Sequence, residues 1–131
     1  MTEYEISDRI QSLASNIIAM NSAQASHIAI YLSVVFGFIV AAYVAGEKLT
    51  RLQASICYVV FTLFATLEIF RIVSYGLGTN QLLKQGIEWG ADIPAISMDP
   101  QVRVIATTAM WSVGAIGALV FMWSVRHPKT G

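Results

Sequence analysis

The chain has 131 residues, of which 56% are hydrophobic and only 12% charged, with eight basic and eight acidic side chains cancelling to zero. Soluble domains carry about twice that fraction of charge, so the mean hydropathy of +0.62 points to a chain whose solvent is partly lipid. A neutral chain with eight Lys and Arg lacks the basic surface that a nucleic-acid binder needs, and its one cysteine, Cys57, excludes an internal disulfide.

The N-terminal segment reads as an amphipathic helix. Thr2 and Glu5 have capping-box spacing, and acids crowd the first turn, where the helix dipole favours them. Ile6, Ile10, Leu13, Ile17 and Met20 then recur at spacings of four and three, drawing one apolar stripe opposite Asp8, Arg9, Gln11, Ser12, Ser15 and Asn16. The stripe needs a partner surface. That surface is the membrane or the same chain on one reading, and another subunit on the other. The first 26 residues lack a basic start followed by an apolar core, so the first span is expected to act as its own insertion signal.

Three stretches then reach the roughly 20 apolar residues that cross a ~30 Å hydrocarbon core, at about residues 28–46, 54–76 and 104–125. They are apolar all round, whereas barrel strands alternate. The fold class is therefore all-α: a polytopic membrane protein with three transmembrane helices in residues 27–131 plus the amphipathic helix in residues 1–26. Gly46 is placed to close the first span in a left-handed conformation, and Thr50 with Gln53 has capping-box spacing to open the second. Asp99 and Pro100 supply an N-cap and a first-turn proline ahead of the third. The connection over 76–98 is too long for a simple turn. A short helix over 81–89 is expected to lie at the interface there, with Leu82, Leu83 and Trp89 dipping into the headgroups.

Lys48, Arg51, Arg126 and Lys129 fall on one side of this topology, and Arg9, Lys84 and Arg103 on the other, with Arg71 near its boundary. The positive-inside rule then predicts an N-terminus outside and a C-terminus in the cytoplasm.

Two helix faces stand out. Ser33, Gly37, Ala41 and Ala45 recur every four residues, a small-residue groove that lets another backbone approach closely. Gly114 and Ala118 repeat the spacing once on the third span, which makes that span the expected partner. On the second span, Ala54, Tyr58, Phe61, Ala65 and Glu68 share a face, while Ile56, Val59, Val60, Leu63, Leu67 and Phe70 lie opposite and suit lipid. This puts Glu68 indoors, with Arg71 three residues on and long enough both to pair with it and to snorkel. Three readings of Glu68 stay open: a structural pair with Arg71, a proton or ion role, or binding of an external headgroup or ligand.

Enzymatic constellations are scarce. His27 and His127 fall at opposite ends of a three-span bundle and cannot share a metal ion or haem, so no cofactor is expected. Cys57 reads as buried and inert. Trp89, Trp111 and Trp123, with Tyr31, Tyr43 and Tyr75, lie near span ends as interfacial anchors. Residues 39–53, IVAAYVAGEKLTRLQ, resemble a hairpin of small uncharacterised bacterial membrane proteins. The resemblance implies a bacterial inner membrane and no activity.

The expected function is assembly, as a homo-oligomer or as an accessory subunit of a larger membrane complex, with membrane lipid and a membrane protein as partners. An oligomeric channel or transporter, with Ser55, Thr62, Thr66 or Glu68 along its path, is the alternative.

Overall fold

A computed structural model describes residues 2–92 and 99–127. It holds three helices, α1 (Glu3–Ala45), α2 (Arg51–Glu88) and α3 (Pro100–Arg126), and there is no strand among the described residues. Each helix is long and apolar enough to cross a membrane, which is compatible with an integral membrane protein. At 1.5 Å per residue α3 is ~40 Å long and matches a bilayer, whereas α1 at ~64 Å and α2 at ~57 Å are roughly twice the ~30 Å core. The surplus length of both lies at the same end of the bundle.

The helix starts follow the local chemistry. Thr2 and Glu5 form a reciprocal capping box: the Thr2 N–H donates to Glu5 Oε2 at 2.9 Å and the Glu5 N–H to Thr2 Oγ1 at 3.4 Å. Thr50 and Gln53 do the same at 3.0 and 3.2 Å. Asp99 accepts from the Gln101 N–H at 2.9 Å, with Pro100 in the first turn. Gly46 departs from expectation. It is right-handed, at φ −54°, and opens a 3₁₀ turn over Gly46–Lys48. What it supplies is room: a Cβ there would stand 3.0 Å from Val125 Cγ1 and 3.5 Å from Met122 Sδ, so the ends of α1 and α3 meet across it. Among the described residues the left-handed glycine is Gly90, at φ +85°. Its N–H donates to the Ile87 carbonyl and that of Ala91 to the Gly86 carbonyl, a Schellman closure of α2.

Two expected boundaries are absent. α1 runs unbroken through residue 26, so the amphipathic segment and the first span are one helix. Likewise α2 continues through residues 76–88 instead of ending before a separate interfacial helix. Neither segment contains proline, and a mid-helix glycine costs only ~1 kcal/mol, less than the packing the two extensions gain from each other. Leu13 is buried and Ile6, Ile10, Ile17 and Met20 are half-buried on this seam, so the N-terminal stripe is met by its own chain. At the far end the Arg9 guanidinium sits 5.9 Å from the Trp89 ring centroid.

Within the bundle α1 and α2 share the largest interface, and α3 packs against both. The core joins Tyr31, Val35, Phe61, Ala65, Ile72 and Ala118, with Phe38 stacked on Phe61 at 4.1 Å between centroids. The second span divides as its pattern predicts: Ala54, Phe61, Ala65 and Glu68 are buried, and the opposite face from Ile56 to Phe70 is exposed.

Candidate functional site: a buried carboxylate between two helices

Glu68 is 2% exposed, among apolar residues of a span. A bare carboxylate there is far too costly, so its partners decide what it can do. Arg71, one turn along α2, reaches Glu68 Oε1 at 3.4 Å, which is the pair read from the sequence. The closer partner comes from α1: His27 Nδ1 lies 2.7 Å from Glu68 Oε2. The His27 ring also stacks on Tyr75, with centroids 5.3 Å apart and planes 20° from parallel. His27 is 16% exposed at its side chain and Arg71 49%, so the carboxylate is the sealed member and the guanidinium the one at the edge.

The cluster belongs to a polar seam between α1 and α2. Gln24 donates from Nε2 to the Ile72 carbonyl at 3.1 Å, and the Thr79 hydroxyl donates to the Tyr75 carbonyl at 3.0 Å with the Asn21 side-chain amide 3.4 Å away across the seam. From α3, Arg103 bonds Asn80. Small residues let the helices close over this seam: a Cβ on Gly76 would come 3.1 Å from Gln24 Nε2, and one on Gly78 would come 2.9 Å from Met20 Cε.

His27 and His127 lie far apart, as the sequence predicts. His127 ends α3, stacked on Trp123, at the opposite end from the seam. The signal for His27 was the hairpin itself. With the turn centred on Lys48, Glu68 lies twenty positions after it and His27 twenty-one before, so antiparallel helices bring the two level. Tyr31, Trp111 and Tyr75 likewise depart from their expected anchoring role. Tyr31 is 2% exposed, donates to the Trp111 carbonyl and meets the Trp111 ring edge-on, while Tyr75 supports His27. Tyr43 and Trp123 are exposed, as lipid-facing anchors are.

Among the described residues, nothing packs on the small-residue ladder. Ser33, Gly37 and Ala41 are exposed and Ala45 is half-buried, and a Cβ on Gly37 would meet nothing within 4 Å. α3 therefore does not pack there. Its own pair, Gly114 and Ala118, turns to the Tyr31 side of α1: a Cβ on Gly114 would stand 3.1 Å from the Tyr31 hydroxyl, and Ala118 is buried. Beside the ladder an open apolar trough of about 440 Å³ runs between Val34 and Phe38 on α1 and Ile56, Cys57, Val60 and Phe64 on α2.

Ser55, Thr62 and Thr66 are exposed, and the Ser55 and Thr66 hydroxyls are bonded back to the carbonyls of Arg51 and Thr62. Among the described residues no three His, Cys, Asp or Glu side chains gather as metal ligands. Compared with family models, curated proteins and solved structures, the chain matches none.

Proposed function

We propose that the protein is a small integral membrane protein that acts by assembly, as a homo-oligomer or as an accessory subunit of a larger membrane complex. The observation that carries this reading is the outward ladder of Ser33, Gly37 and Ala41. Exposed Leu or Phe on a span needs no explanation, since lipid is as apolar as they are. A run of small residues facing outward contributes little against lipid, whereas it lets a second backbone come close enough for dense packing. The trough beside it widens the surface on which a helix can lie.

We infer a bacterial inner membrane as its location, with the N-terminus outside. Lys48, Arg51 and Arg126 share the end at which Gly46 meets Val125, and Lys129 follows Arg126 in sequence. That basic bias supports the orientation. The likeness of residues 39–53 to a bacterial hairpin supports the membrane.

Cross-linking in membranes tests the assembly. In a Cys57→Ser background, a cysteine at Gly37 should form an intermolecular disulfide or a heterobifunctional adduct, while one at Leu63, exposed on α2, should not. Equal yields at the two positions would mean that the ladder meets lipid.

A further inference from the structure

We propose that His27 and Glu68 form a proton-binding site, in which the proton on His27 decides whether Arg71 or His27 neutralises Glu68. The inference does not rest on assembly. A metal cation is a poor occupant, because the Arg71 guanidinium lies 3.4 Å from the carboxylate and no third ligand is at hand among the described residues. An anion is repelled by Glu68 itself. A proton suits a cluster in which one imidazole nitrogen is held against a carboxylate and the other is free to take a proton.

The charge balance makes the site responsive. With His27 neutral, Glu68 and Arg71 cancel, and the imidazole donates its Nδ1–H to Glu68 across 2.7 Å. A proton taken from water at Nε2 leaves that bond in place, because Nδ1 donates in both forms. The cluster then carries one positive charge too many for a membrane interior. Arg71 is the member that can leave: its side chain is half exposed and long enough to swing to the headgroup level. His27⁺ and Glu68⁻ then remain as a neutral buried pair, and only the Nε2–H bond has been made. On deprotonation the proton returns to water and Arg71 returns to Glu68.

The other groups around the cluster leave this exchange intact. On α1, Tyr31 lies one turn along with its hydroxyl held by the Trp111 carbonyl. On α2, Tyr75 stacks its ring on the imidazole. On α3, Arg103 is engaged by Asn80 and lines one small cavity with Gln24 and Ile72, the next turn of the seam.

The test is nitrogen NMR on the full chain in bicelles, with histidine and arginine side chains labelled and His127→Gln removing the second histidine. As the pH falls, the Arg71 signals should change with the same midpoint as those of His27. In Arg71→Gln, Glu68 has His27 as its one remaining cation, so His27 should bind its proton about three- to fivefold more tightly, and Arg71→Lys should restore the wild-type behaviour. Arg71 is half exposed, so these two variants fold even if Glu68→Gln does not. Arg71 signals that ignore the titration of His27, or a proton affinity unchanged within about twofold in Arg71→Gln, would overturn the proposal.

Discussion

Removing His27 should destabilise the protein more than removing Arg71, although Arg71 is the partner that carries a permanent charge. The His27 contact is short, crosses from α1 to α2 and is largely sealed from solvent. Hydrogen bonds to a charged group contribute roughly 1.5–3 kcal/mol, so His27→Leu is expected to cost about 2–3 kcal/mol. The Arg71 contact is longer, lies within one helix and has a half-exposed donor. An ion pair of that kind contributes below about 1 kcal/mol, and Arg71→Leu should cost no more than that. Once His27 is gone, the expensive element is the poorly partnered carboxylate, so the double variant His27→Leu/Glu68→Leu should recover most of the loss. The expected coupling is about 2 kcal/mol. Reversible unfolding in mixed micelles, followed by circular dichroism across the four members of the cycle and Arg71→Leu, measures both. A coupling near zero, or an Arg71→Leu penalty equal to that of His27→Leu, would refute the reasoning.

In a Cys57→Ser background, a cysteine at Ser22 should react with a membrane-impermeant thiol reagent on intact cells and one at Glu47 should be shielded; the reverse pattern defeats the orientation. Gly78→Leu should lower stability by about 1–3 kcal/mol, because Met20 already crowds the site, whereas Gly117→Ala on α3 meets nothing and should be neutral or gain up to about 1 kcal/mol. Equal effects in a thermal melt would mean that the α1–α2 seam is not closely packed. The Tyr58 hydroxyl is buried without a partner among the described residues, so Tyr58→Phe should be neutral or stabilise by up to about 1 kcal/mol in the same melt, and a clear loss would reveal a partner for it.

The three spans, both capping boxes and the inward face of α2 were legible because each is written in local spacing: apolar length, side-chain periodicity, a cap three residues from its partner. The elements missed depend on contacts between segments. Leu13 and its stripe ask for a partner, but one helix cannot say that the partner is the far half of α2, and that pairing is what keeps α2 helical past Gly86. Gly46 has the composition of a left-handed cap, and its use as a close contact with Val125 follows only from where α3 ends. The ladder of Ser33, Gly37 and Ala41 marked a packing surface without saying which helix it faces, and α3 took the neighbouring Tyr31 face. Glu68 and Arg71 were found together because they share one turn. His27 needed the register of the hairpin, which the tight turn at Gly46–Lys48 sets.

The most direct test of assembly is the mass of the particle released from native membranes, measured by native mass spectrometry for the wild type and for Gly37→Leu. A side chain of that size on the ladder blocks close backbone approach while meeting no atom of its own chain at Cβ, so the monomer should fold unchanged. If the ladder is the assembly surface, the wild-type particle is heavier than the 14.3 kDa chain and the Gly37→Leu particle falls to that mass. A wild-type particle of 14.3 kDa, or a heavier one that Gly37→Leu leaves intact, would contradict it.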